Sequence, residues 1–285
     1  MKKFVDFLKM IKIEHSVFAL PFAFTSAVIA ANGLPALDKV IWIIVAMVGA
    51  RTGAMGLNRV IDAEIDRKNP RTANREIPAG KIKKSEAVLY IIISFIVYEF
   101  ATLMLNNLCF MLSPIPLAIF ILYSYTKRFT ALCHIVLGIA LGLAPIGAWV
   151  AISGDINFGI VLMGIAVLFW VAGFDIIYAL QDIDFDRQEN LHSIPRYFGI
   201  ENSLILSRVF HLIAFFVFVY LYKYFNMGYL YLTGIIICGI FMFYQHRLIS
   251  KDDLSRVNIA FFNLNAYISL TVFVFTFLDV ILIRG

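Results

Sequence analysis

The sequence predicts an all-α, polytopic membrane protein. It reads as nine apolar spans in one domain over residues 1–285, with a parallel internal repeat. Three observations carry this. The chain is 61% hydrophobic and 15% charged, where an ordinary soluble domain has about 25% charged residues. Apolar runs near the ~20 residues that cross a bilayer recur along the whole chain, with no Pro/Ser-rich linker between them. Lys and Arg collect almost entirely between alternate runs. A spanning backbone must be helical or form a closed barrel, and long apolar runs specify helices.

In chain order, Lys2-Lys3-Phe4-Val5-Asp6-Phe7-Leu8-Lys9 reads as an amphipathic lead-in. No small-residue cleavage site follows the first apolar run, so it reads as a retained helix. The apolar segments lie at about 13–32, 39–65, 85–106, 108–126, 131–152, 157–182, 202–223, 227–246 and 257–282. Asn32-Gly33-Leu34-Pro35, Asn106-Asn107, Ser153-Gly154-Asp155 and Asn226-Met227-Gly228 punctuate them. The Gly142-Leu-Ala-Pro-Ile-Gly147 run predicts close helix packing and a kink in the fifth. Cys109, Cys133 and Cys238 are dispersed and read as small buried hydrophobes.

The basic residues set the orientation. Lys2, Lys3, Lys9 and Lys12, seven Lys/Arg in 67–84, Lys127 and Arg128, Arg187 and Arg196, and Arg247, Lys251 and Arg256 fall on one side. This predicts a cytoplasmic N-terminus, cytoplasmic loops 67–84 and 183–201, and an outside C-terminus, in an inner or plasma membrane. With that layout the net charge of +5 points to anionic lipid or an anionic substrate and away from nucleic acid.

Residues 51–84 hold the chemistry. Asn58, Asp62 and Asp66 are four apart, which stacks three oxygen-bearing side chains on one helix face, roughly 6 Å of rise between neighbours. The pattern Asn58-x3-Asp62-x3-Asp66-Arg67 recurs in the sixth segment as Tyr178-x3-Asp182-x3-Asp186-Arg187, with Asp184 as a further acid. Both copies close an even-numbered helix and open a polar loop, so the two acidic ends run parallel and can face one cavity. A single ladder could be mere helix-end polarity; two of them, converging, would repel without cations between them. Oxygen ligands with no His or Cys nearby favour Mg²⁺, which takes one or two carboxylates plus substrate phosphate oxygens. Asn58, Asp62, Asp66, Asp182 and Asp186 are therefore candidate metal ligands, the four acids also the candidate catalytic groups. Glu64 and Arg59 fall on other faces and read as solvated.

Further candidates surround the ladders. Asp175, deep in the sixth span on the face of Asp182, either binds metal or orients Asn58 or Arg51. Tyr123-x-Tyr125-x-Lys127-Arg128 reads either as an aromatic belt with positive anchors or as phosphate neutralisation, for which Arg71 and Arg75 are also placed. Arg51, two turns inside, either pairs with an acid such as Asp175 or receives an anionic substrate group. His15 could line the same cavity; His134, His192, His211 and His246 form no constellation.

These motifs, with Arg71-Thr-Ala-Asn-Arg75-x-Ile-Pro-Ala-Gly80, Ser193-Ile-Pro and Phe198-Gly199, resemble the UbiA superfamily of intramembrane aromatic prenyltransferases along essentially the whole chain. The resemblance implies nine helices around a central cavity, Mg²⁺, and a polyprenyl diphosphate donor. It implies that Arg51 receives the carboxylate of a small aromatic acid, as in 4-hydroxybenzoate prenyltransferases of ubiquinone biosynthesis. Lys12-Ile-Glu-His15-Ser-Val-Phe-Ala-Leu-Pro21 is similar to the branch that prenylates 1,4-dihydroxy-6-naphthoate for menaquinone. Tyr178 and Tyr123 join Asp175 as supporting residues. The rival class, a cation-coupled transporter, would instead place its acids near the midplane at broken helices.

Overall fold

Spans form where the sequence is too apolar to leave the bilayer and end where Gly, Asn or Pro interrupts. The computed structural model describes residues 2–11 and 19–284. Among these residues every regular element is helical: α1 (Lys2–Met10), α2 (Leu20–Ala31), α3 (Leu37–Ile61), α4 (Ala63–Lys68), α5 (Lys84–Leu105), α6 (Asn107–Leu112), α7 (Pro114–Thr126), α8 (Cys133–Ser153), α9 (Phe158–Ala179), α10 (Ile183–Gln188), α11 (Ile194–Tyr224), α12 (Tyr229–Arg247) and α13 (Asn265–Asp279). Among the described residues eight helical segments are long and apolar enough to cross a membrane, and α2 is a shorter apolar helix. The chain is an integral multi-pass membrane protein. Large apolar side chains such as Ile92, Ile96, Phe216 and Phe243 are exposed on the bundle's outside, as a lipid-facing surface requires.

Three boundaries differ from the expectation. The fourth span breaks at Ser113, where Pro114 starts α7 and removes a backbone donor. The polar loop after the sixth span ends earlier than residue 201. Ser193 Oγ accepts the Arg196 N–H, Pro195 occupies the first turn, and α11 begins at Ile194, bent where Gly199 takes φ 72°. The last span opens with a π-helical turn, Ile259–Leu264.

The bundle is centred on α9, whose most apolar stretch is 67% buried against 33% for most other spans. Trp170 and Phe174 of α9 pack with Phe22 of α2 and Phe218 of α11 in the largest core cluster. Helix α8 lies against α9 at close range: a Cβ on Gly138 or Gly142 would come within 2.5 Å of the Leu168 or Gly164 carbonyl oxygen. Gly142 thus makes the close helix contact its run predicts, and Pro145 lies inside the helix. On the acidic side, α1 folds back so that Phe7, Met10 and Ile11 pack with Ala63, Ile77 and Ile82 beneath the first loop. All three cysteines are buried and free.

The repeat is visible in the backbone. Helix α3 breaks at Asp62 (φ −87°, ψ 2°) and continues as α4. Helix α9 breaks into a 3₁₀ turn, Leu180–Asp182, and resumes at Ile183 after Asp182 (φ −108°, ψ 7°). Each six-residue extension carries the last acid of its ladder.

Close α8–α9 contact predicts that Gly142→Val destabilises the folded protein by about 1–3 kcal/mol, seen as a lower melting temperature in detergent. Gly147→Ala, where the added methyl meets open space, should leave the melt unchanged. Equal melts for the two variants would contradict the packing.

Candidate active site

The breaks at Asp62 and Asp182 turn two helix ends toward each other, and the basic residues between the spans fill the gap. Each of the four ladder carboxylates meets one of the four predicted cations. Arg128 Nη2 lies 2.9 Å from Asp62 Oδ1, and Arg75 Nη1 2.6 Å from Asp66 Oδ1. Arg71 Nη2 lies 2.6 Å from Asp182 Oδ2, and Lys127 Nζ 2.7 Å from Asp186 Oδ1. Asn58 Nδ2 donates to Asp62 Oδ2 at 2.8 Å. Backbone bonds from Asp62 to Asn58 and from Asp66 to Asp62 keep the four-residue spacing through the break.

The first loop reaches across to the second ladder. Arg71 Nε and Asn69 Nδ2 both donate to Asp182 Oδ1, at 3.0 and 3.1 Å. Arg71 Nη1 donates to the Tyr178 hydroxyl at 2.9 Å, and that ring packs on Phe261 with centroids 4.1 Å apart. Lys68 and Glu189 pair across the loops at 2.6 Å. Ser193 Oγ donates to Asp186 Oδ2 at 2.7 Å.

Burial pushes the Asp62 carboxyl above its usual range despite the opposing charge of Arg128. Burial pulls Arg71 down, but its bonds to Asp182 outweigh that and its pKa ends raised. Lys127 behaves likewise through Asp186. The site therefore holds buried charges of both signs that depend on one another.

The ladders do not gather into a ready-made carboxylate cage: among the described residues no three His, Cys, Asp or Glu side chains form a group able to hold a metal. Cations interleave the acids instead of leaving them converged. Asp184 is not drawn in. Its side chain is 91% exposed, 3.7 Å from Arg187, because it lies on the outer face of α10. Glu64 is exposed beside Lys84 and Arg67, as expected. Arg59 is not solvated; it is buried and its Nε donates to the Met10 carbonyl.

Asp175 pairs with His134. The two are 2.7 Å apart, Nδ1 to Oδ2. They sit on the neighbouring helices α8 and α9, so no spacing in the sequence advertises the pair. Asn69, Ser193 and Glu189 were likewise not singled out as individual site residues. Tyr123 and Arg51 line an apolar cavity of about 330 Å³ that also touches Met55, Tyr98, Leu141 and, at the far end, Ile156. Tyr123 lies one helical turn before Lys127, which pairs with Asp186, so this end of the cavity lies beside the ladders. Tyr125 is exposed under the Arg128 guanidinium. His15 lies outside the described residues.

An acid–base cluster at paired helix ends, beside an apolar cavity within a membrane bundle, is the arrangement of an intramembrane enzyme. The chain belongs to the UbiA prenyltransferase family, whose model matches residues 19–267, and it is a prenyltransferase. A 4-hydroxybenzoate octaprenyltransferase of Francisella tularensis is 27% identical over 90% of this chain and 89% of that protein. The apo structure of a UbiA homolog from Aeropyrum pernix K1 is 34% identical, covers 94% of this chain and 98% of that one, and superposes with a TM-score of 0.85. A UbiA homolog from Archaeoglobus fulgidus bound to GPP and Mg²⁺ shares the fold, with a TM-score of 0.68 at 20% identity over 94% of this chain and 99% of that one. Family membership sets the transporter reading aside.

The Arg71–Asp182 bridge predicts that Arg71→Ala frees the first loop. Loss of a charge-assisted partner is worth about 1.5–3 kcal/mol. Amides of 69–80 should therefore exchange hydrogen roughly 10- to 100-fold faster, while Arg67→Ala leaves them unchanged. Unaltered exchange in Arg71→Ala would contradict the bridge.

Proposed function

We propose that the whole chain acts as one membrane domain that transfers a polyprenyl group from its diphosphate to a small carboxylated aromatic, 4-hydroxybenzoate, in quinone biosynthesis. The observation that carries this reading is the vertical order of the site. Interleaved acids and cations lie at the helix ends, an apolar cavity runs inward from them, and Arg51 stands within that cavity. The relatives named for 4-hydroxybenzoate support the acceptor. Arg51 suits 1,4-dihydroxy-6-naphthoate equally, so this acceptor is the second reading.

The ladders fit Mg²⁺. Their donors are all oxygens, and Asp66 Oδ2 is buried with no hydrogen-bond partner, an atom that a cation would satisfy. Asn58, Asp62 and Asp66 would hold one side and Asp182 and Asp186 the other, and the ion would act as a Lewis acid on the leaving diphosphate. Lys127, Arg128, Arg71 and Arg75 take up the remaining phosphate charge as the carbon–oxygen bond ionises. The apolar cavity keeps water from the allylic cation. Arg51 holds the acceptor carboxylate, which turns the ring toward that cation. Tyr178 steadies Arg71, and Tyr123 frames the mouth of the cavity. We place the N-terminus and the site loops in the cytoplasm and the C-terminus outside, by the distribution of Lys and Arg.

In proteoliposomes with Mg²⁺, geranylgeranyl diphosphate and 4-hydroxybenzoate, Asp62→Asn should lose product formation by at least about 10³-fold while inserting normally. EDTA should abolish, and Mg²⁺ restore, wild-type turnover. Arg51→Ala should raise the acceptor KM by about tenfold or more, the loss of a charge-assisted bond, and leave the donor KM within about twofold. An unchanged acceptor KM would remove the carboxylate assignment.

A further inference from the structure

The acceptor ring must lose a proton, and the ladders, committed to metal and phosphate, leave that step without an owner. Asp175 is placed for it. Asp175 and Tyr178 lie one turn apart on α9, so Asp175 faces the side that Tyr178 faces, and Asp182 follows in the 3₁₀ turn that ends the helix. Its neighbours Phe174, Ile176 and Ile177 are almost wholly buried. Yet 19% of the Asp175 side chain is exposed, inside the most buried helix of the bundle. Among the described residues Oδ2 is held by His134 and Oδ1 has no partner, yet Oδ1 is not among the fully buried polar atoms, so it carries part of that exposure. His134 in turn lies one helical turn from Leu137, a residue of the cavity that contains Arg51.

Depth gives the second argument. The repeat sets Asp62 and Asp182 level, as the matching backbone breaks do. At about 1.5 Å per residue, Arg51 lies about 16 Å inward from Asp62 and Asp175 about 10 Å inward from Asp182. Asp175 is therefore about 6 Å nearer the diphosphate than Arg51, about the span of one benzene ring with its carboxylate. An acceptor anchored at Arg51 puts its reacting carbon at the level of Asp175.

His134 fixes this carboxylate. Its ring is buried, and the Ile194 N–H meets Nε2 at 3.4 Å. That leaves the imidazole proton on Nδ1, donated to Asp175 Oδ2, and leaves Oδ1 available.

We propose that Asp175 is the general base that removes the ring proton, with His134 as the residue that positions it. This rests on the acceptor reading above. The new bond joins the allylic carbon to the ring carbon beside the hydroxyl. The C–H bond at that carbon then breaks, its electrons restore the aromatic ring, and its proton passes to Asp175 Oδ1. Asp175 is left neutral and still bonded to His134, and passes the proton to solvent as product leaves. No oxidant or reductant is needed. An acid this deep in a bilayer has a use of this kind far more often than none.

The test uses the full-length protein in proteoliposomes with Mg²⁺, geranylgeranyl diphosphate and 4-hydroxybenzoate deuterated at both carbons beside the hydroxyl. Asp175→Asn should bind acceptor and donor with wild-type affinity and lose about 10²- to 10⁴-fold in kcat, the usual worth of a general base. Its proton-loss step should become rate-limiting, so a primary isotope effect absent from wild type should emerge. His134→Gln should lose less and show a smaller isotope effect, and Asp175→Glu should recover part of the rate. These two milder variants keep the test decisive if Asp175→Asn misfolds. Wild-type kcat in Asp175→Asn, or lost acceptor binding with no isotope effect, would overturn the assignment. A wild-type protein that prenylates neither 4-hydroxybenzoate nor the dihydroxynaphthoate would sink the acceptor reading itself, and this inference with it.

Discussion

Charge neutralisation at the edge of a bilayer governs this molecule. Four carboxylates are brought together at two helix ends, and none can stay ionised in low dielectric without a counter-charge. The protein supplies four cations from two different segments: Arg71 and Arg75 from the first loop, and Lys127 and Arg128 just after the end of α7. The geometry of the loops follows from that demand. The first loop folds over the second ladder because Asp182 needs Arg71 and Asn69. The second loop turns back because Asp186 needs Lys127 and Ser193. Each base within reach of a carboxylate is also within reach of a phosphate that would lie between the ladders, so the same side chains can serve folding and donor binding.

The rest of the bundle keeps this cluster fixed and keeps water from what lies beneath it. Helix α9 is anchored on both sides, by carbonyl-to-glycine contact with α8 and by aromatic packing on α2 and α11. A fixed α9 holds Asp175 and Tyr178 in place, and the 3₁₀ turn that ends it carries Asp182. The cavity between α3, α5, α7 and α8 is almost wholly apolar along its length. Arg51 and Tyr123 give it one polar end.

Much of this was legible in the sequence, for physical reasons. Apolar runs cannot hide, so most spans were readable to within a few residues, the start of α11 excepted. The doubled Asp-x3-Asp pattern was readable because i,i+4 spacing survives the helix breaks. The matching cations were readable because positive residues gather on one side. Contacts between helices were not readable. The His134–Asp175 pair joins α8 to α9 with nothing in either segment to announce it, and Asp175 was instead assigned to metal, Asn58 or Arg51. Asp184 was counted with its ladder, though two residues of helical rotation carry it to the outside. Arg59 was taken for a solvated cation because the fold-back of α1, which brings the Met10 carbonyl to it, is a tertiary event. The start of α11 at Ile194 turned on a serine cap and a proline, both present in the sequence but masked there by the polar residues around them.

The central claim is that this acid–base cluster ionises a prenyl diphosphate for a carboxylated aromatic. The most direct measurement is turnover in proteoliposomes with geranylgeranyl diphosphate, with and without Mg²⁺, offering 4-hydroxybenzoate and 1,4-dihydroxy-6-naphthoate side by side. The expected result is Mg²⁺-dependent prenylation of a carboxylated ring, 4-hydroxybenzoate first, with one pyrophosphate released per product. Product formation that persists without divalent metal, or no product from either acid, would contradict it.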